Sequence, residues 1–130
     1  MNKRCVKPMI LLLGFSLFAI INVCIAQEPS VEQPPDDVSG KWTIYADNID
    51  KGGSSLKYVE IKQDGNLLTG RFKGPHQSGK IQGWVNVHHI EFSTDTRTIL
   101  TFRGKIEGNT MSGLYGVHGR HAQWHAERTN

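Results

Sequence analysis

The feature that most constrains this chain is a rhythm. From Gly40 to Arg128, short runs of alternating apolar and polar residues recur about every ten residues, each bounded by Gly, Asn or Asp. No stretch in that region has the 3.6-residue spacing that an amphipathic helix requires, so the class is all-β. The runs are Lys41–Ala46, Lys57–Gln63, Leu67–Lys73, Lys80–Val85, His88–Ser93, Thr98–Ile106, Thr110–Val117 and Ala122–Arg128, which makes eight strands. Asp64-Gly65-Asn66 and Glu107-Gly108-Asn109 are hairpin turns, because Gly and Asn accept positive φ. Each opens a short echo, Asp64–Gly70 against Glu107–Gly113, and such echoes fit similar hairpins side by side in an up-and-down meander.

Successive residues of a strand face opposite sides of a sheet, so parity separates an inner face from an outer one. The inner set is Trp42, Ile44, Val59, Ile61, Leu68, Phe72, Ile81, Val85, Ile90, Phe92, Leu100, Phe102, Ile106, Met111, Tyr115, Trp124 and Ala126. Glu60, Lys62, Arg71, Lys73, Gln82, Glu91, Arg103 and Lys105 occupy the other face. A one-sided sheet of eight short strands closes on itself, and the fold expected is an eight-stranded antiparallel up-and-down β-barrel. About 90 residues make it a narrow one, either filled by side chains or holding one small ligand. Large inner residues argue for filling, and the inner glycines Gly70, Gly83, Gly104 and Gly113 argue for space.

Two segments precede the barrel. Residues 1–26 have a basic start, an apolar run over Met9–Val23 broken only by Ser16 and Asn22, and small residues at the −3 and −1 places of a cut after Ala26. This is signal-peptide architecture and implies a secreted or periplasmic chain, with membrane contact only through the leader if it stays uncleaved. Residues 27–39, with three prolines and four acids, read as a disordered tether. Both cysteines, Cys5 and Cys24, lie in the leader, so the domain at 40–128 stands without a disulfide.

The formal charge of +3 has its origin in the leader; beyond residue 26, basic and acidic residues balance at twelve each. A neutral chain lacks the field that drives non-specific nucleic-acid binding, which excludes that partner class.

Gly40-Lys41-Trp42 at the first strand resembles the Gly-x-Trp that opens lipocalin- and avidin-like barrels, and Trp124-x-Ala-x-Arg128 closes the last strand. With Gly79-x-Ile81-x-Gly83 and Gly104-x-Ile106-x-Gly108 between them, the segment Gly40–Arg128 resembles the small secreted bacterial lipocalin-like domains. The resemblance implies that Arg128 packs on the Trp42 indole as a structural pair at the barrel floor, and inward parity of Arg128 points the same way. Thr43-Ile44-Tyr45-Ala46 replace the polar set with which avidins hold biotin, and the Glu107-Gly108-Asn109 turn brings no tryptophan, which argues against that vitamin.

For a ligand at the open end, the candidate contacts are Tyr45, His88 and Tyr115, under a lid at Asn48–Ser55. Outward parity makes Trp84 a contact residue. His118 and His121 are the weak candidates for a metal, since His121 and His125 lie too far apart on one strand to share an ion. No Gly-x-Ser-x-Gly, paired carboxylates or phosphate loop is present, so the expectation is a binding module without cofactor, not an enzyme. Two functions follow: a carrier of a small apolar or amphipathic molecule in the barrel mouth, or a side-chain-filled barrel that acts on a protein partner as an interaction or inhibitor module.

Overall fold

The computed structural model describes residues 33–129. The predicted signal peptide and the first part of the predicted tether lie outside the described residues. Eight strands run in chain order, β1 (Gly40–Asp47), β2 (Ser54–Asp64), β3 (Leu67–Lys73), β4 (Ser78–Asn86), β5 (His89–Asp95), β6 (Thr101–Glu107), β7 (Thr110–Val117) and β8 (Arg120–Arg128). Each pairs antiparallel with the next, and β1 pairs with β8 in the register Trp42↔Arg128, Ile44↔Ala126, so the sheet is a closed up-and-down barrel without an edge strand. The end where β1 begins and β8 finishes is the lower end here.

The alternation of the sequence becomes the wall itself. All seventeen residues of the predicted inner set are buried, joined by Val38 and Ala46. Phe102 stands at the centre of the interior, stacked on Phe92 at 4.9 Å and on Tyr115 at 5.3 Å, with the Trp124 indole edge-on at 5.4 Å. Aromatic pairs in these geometries add about 0.5–1.5 kcal/mol each beyond the area they bury. Among the described residues every core residue lies within Val38–Ala126, and every strand has both neighbours inside Gly40–Arg128, so the closed ladder is one continuous segment.

The inner glycines do not make space. A Cβ on Gly113 would stand 1.9 Å from the Arg103 carbonyl oxygen, and one on Gly83 would stand 2.0 Å from that of Glu91. Across the sheet Gly83 faces Phe92 and Gly113 faces Trp124. The missing side chains let neighbouring backbones close in while a large ring from the next strand covers the gap. The glycines that argued for a hollow interior therefore help to fill it.

Most strand boundaries differ from expectation by one to three residues, and three of the differences bear on the site. β2 starts at Ser54, before Lys57. Thr98–Leu100 belongs to the β5–β6 connection, because Leu100 N–H donates to Thr94 Oγ1 and Thr94 N–H to the Leu100 carbonyl, closing a loop where a strand was expected. β5 starts at His89, because Val87 and His88 form the turn. Val87 takes φ 54°, the conformation that Gly65 and Gly108 adopt at the same place in the other two lower turns.

The last four residues of the predicted tether are part of the fold. Val38 is fully buried, its N–H donates to Gln63 Oε1 at 2.7 Å, and its carbonyl accepts the Trp42 indole N–H at 2.8 Å. Asp36 N–H donates to the Val87 carbonyl, and Gln63 Nε2 donates to the Asp36 carbonyl. Prolines and acids dominate the composition of residues 27–39, yet one valine with a satisfied backbone is enough to bind residues 36–39 across the lower opening.

Candidate binding surface

Tyr45, His88 and Tyr115, expected around one rim, are held at three separate places. Tyr45 lies between inward Ile44 and Ala46, so its ring is on the outer wall, where it stacks on His125 at 4.8 Å. His88 is in the β4–β5 turn at the lower end, half exposed, with Nδ1 at 2.8 Å from Asp36 Oδ2. Tyr115 is inside at the upper end, and its hydroxyl donates to the Asp47 carbonyl. Burial, and after it the Asp47 carboxylate, pushes the Tyr115 phenol up. Parity excludes Tyr45, and the extra turn residue moves His88 out of the strand; the three share no cavity.

The lower end is closed by Arg128. Its guanidinium lies 4.5 Å from the centroid of the Trp42 ring and donates to the carbonyls of Ser39 and Asp37 and to Asn109 Oδ1. Five planar donors on one side chain allow this combination of stacking and three hydrogen bonds. Hydrogen bonds from the Ser39 hydroxyl and N–H, with the Arg128 charge a lesser cause, hold the Asp37 carboxyl below the usual range.

At the upper end the predicted lid is a six-residue loop, residues 48–53, whose Ile49 packs on the core. Asn48 closes it, donating from its N–H to the Gly53 carbonyl and from Nδ2 to that of Gly52. Beneath it is a residue that the parity reading left unassigned. Lys57 points inward and is 8% exposed, donating to Ser55 Oγ with its Nζ 5.9 Å from the Tyr115 ring centroid. Burial lowers its pKa. The signal was available, since Lys57 shares the parity of Val59 and Ile61.

The outer wall holds a groove of about 700 Å³ across β4 to β8. Trp84, Ile99 and Leu114, three of the six large apolar side chains exposed on the barrel, line it. The row Trp84↔Glu91↔Arg103↔Leu114 runs straight across four strands, with an Arg103–Glu91 ion pair in its middle. Gly116 deepens the floor, and the His121 ring lies over it, 3.2 Å from where a Cβ would stand. His118 and His121, the metal candidates, both border this groove together with His89. Among the described residues no three His, Cys, Asp or Glu side chains gather as a metal-holding group. Sequence parity found Trp84; Leu114 and Ile99 join it only through the register and the β5–β6 loop, which no local pattern encodes.

The architecture is that of eight-stranded antiparallel closed barrels in general, consistent with the lipocalin- and avidin-like class. No family model matches the chain. A search of curated proteins likewise finds no relative.

Proposed function

We propose that this protein is a binding module with a filled interior that engages a protein partner through the groove on its outer wall. One observation carries the reading: aromatic rings occupy the barrel axis, while half of the exposed large apolar side chains converge on one outer groove. Grooves rimmed by polar groups around an apolar centre are where partners dock, and Trp and Arg are the side chains that dominate such contacts. On this reading the chain is exported after cleavage near Ala26, is secreted or periplasmic, and has no catalytic role.

A second reading keeps the groove and changes its occupant. The volume also lies in the range for small-molecule sites, about 300–1,000 Å³, so an amphipathic molecule would fit outside the barrel and not within it.

The test places a photo-crosslinking side chain at Leu114 and, as control, at Leu56 on β2. A discrete protein adduct from position 114 and none from position 56 is expected in the export compartment. A small-molecule mass seen by native mass spectrometry and lost in Leu114→Ser replaces the protein partner with the small one. A mass that survives Leu114→Ser and leaves only on denaturation overturns both readings in favour of an interior ligand.

A further inference from the structure

The balanced charge beyond residue 26 conceals a polarised wall. On the outer face of β1 to β4 the register sets Lys41, Glu60, Arg71 and Lys80 in one row across four adjacent strands. Lys62 and Lys73 flank that row, so five exposed cations surround one carboxylate. Among the described residues none of the five takes part in an ion pair, although four such pairs form elsewhere. Arg71 and Lys80 stand directly opposite each other, a cross-strand pairing of like charges that disfavours a sheet, with Glu60 on the far side of Arg71 and Asp95 of β5 on the far side of Lys80.

The surface between these side chains is shaped. One depression of about 280 Å³ is lined by Lys62, Thr69, Arg71 and Lys80 with Glu60. A second, of about 340 Å³, brings Lys41, Arg71, Lys73 and Ser78 together with Tyr58 and, again, Glu60. Convergent cations with a hydroxyl are the donors that phosphate oxygens accept from. Beside them Tyr58, 49% exposed, faces Lys73 across the β2–β3 ladder, and Leu56 lies two residues further along β2. An aromatic and an aliphatic side chain next to lysines and arginine match a membrane interface, where rings sit at headgroup level and cations meet lipid phosphates.

We infer that the β1–β4 wall docks the barrel onto an anionic phospholipid surface, with phosphates seated in the two depressions and Tyr58 at the headgroup level. The groove across β4 to β8 then stays available on the other side of the barrel. This inference is independent of what occupies that groove.

Because the closed ladder lies within Gly40–Arg128, the chain from Gln27 onward serves for the test without its apolar leader. It is sedimented with vesicles of phosphatidylcholine alone and of phosphatidylcholine mixed with an equal amount of phosphatidylglycerol. Binding to the mixed vesicles only, weakened by salt, is expected. Each cation near such a surface contributes about fivefold in partition, so Lys73→Gln should lose about fivefold and Arg71→Gln/Lys73→Gln/Lys80→Gln about a hundredfold. Trp84→Ala should bind like the parent. A circular-dichroism melt no lower than the parent's shows that the triple variant is folded. Equal binding to both vesicles, or mixed-vesicle binding that the folded triple variant retains, overturns the inference. Tighter binding to soluble polyglutamate than to mixed vesicles overturns it too, and assigns the wall to an acidic protein.

Discussion

At the lower end of the barrel, residues 36–39 are tied to the end of β2, to the turn after β4 and to the end of β8, through partners up to 91 residues away in sequence, and Arg128 of β8 in turn bonds Asn109 in the turn after β6. At the upper end, the 48–53 loop closes mainly on itself, through Asn48 to Gly52 and Gly53, and covers a buried lysine that has only neutral contacts. Long-range bonds are lost only when the whole barrel opens, whereas local bonds can break alone. The lower end therefore belongs to the cooperative unit, and the upper end is the part that opens within the native state.

The largest test of that difference is Arg128→Ala. The change removes three charge-assisted hydrogen bonds and the stack on Trp42, and leaves the carbonyls of Ser39 and Asp37 without that donor. A loss of about 2–4 kcal/mol is expected, read from urea midpoints at unchanged m-value. Arg128→Lys should recover little of it, since an ammonium cannot stack and donate in three directions from one plane. A loss under about 0.5 kcal/mol would detach residues 36–39 from the cooperative unit.

Lys57→Met should act in the opposite sense at the other end, raising the melting temperature by roughly a few degrees at pH 7, because an apolar chain of similar length replaces a buried cation. The pH dependence supplies the sign. With its pKa lowered by burial, folded Lys57 releases its proton before the unfolded chain does. Between its folded value and the ordinary lysine value of about 10.4 the unfolded state holds more protons, and stability rises with pH. Tyr115, raised by burial and Asp47, works the other way above about pH 10, where the folded state keeps the proton and stability falls. Melting curves from pH 7 to 11 should show the rise in the parent and not in Lys57→Met. A parent curve flat up to pH 10 would mean that the amine is already solvated.

The lower end has one misfit of its own. Val87 occupies a left-handed conformation that β-branched residues avoid, at the position where the other two lower turns have glycine. Val87→Gly should stabilise by about 0.5–1 kcal/mol, the relief of strain exceeding the added entropy of the unfolded chain. A destabilised Val87→Gly would show that the valine side chain contributes packing that outweighs its strain.

These ends also divide what sequence can convey. Strand number, parity and nearly all of the core follow from period-two alternation, because a strand's inner face is decided by its own residues. The turns at Gly65 and Gly108 were legible through their glycines, and the turn at Val87 was not, because nothing in the dipeptide Val87-His88 advertises positive φ. Residues 36–39 were masked by the prolines and acids around Val38. The candidate surfaces were the least legible part. Lys41, Arg71 and Lys80 are separated by 30 and 9 residues and become neighbours only through register, so a net charge counted along the chain averages their wall away. The same holds for Trp84 and Leu114, which belong to one groove because Glu91 and Arg103 link their strands.

The smallest expected effect is the sharpest comparison. Arg120, at the start of β8, pairs with Asp50 in the 48–53 loop, and both side chains are well exposed. Exposed pairs contribute about 0–1 kcal/mol, so Arg120→Ala should leave the global melt almost unmoved. The pair nevertheless ties the loop to the barrel wall, and its loss should shift the local opening equilibrium. Amide exchange at Asn48, whose N–H donates to Gly53 within the loop, should then quicken several-fold, while exchange at Val38, bonded to Gln63 at the other end, stays at the parent rate. If exchange at Val38 quickens in step with Asn48, the two ends open together, and the loop is as much a part of the cooperative barrel as its floor.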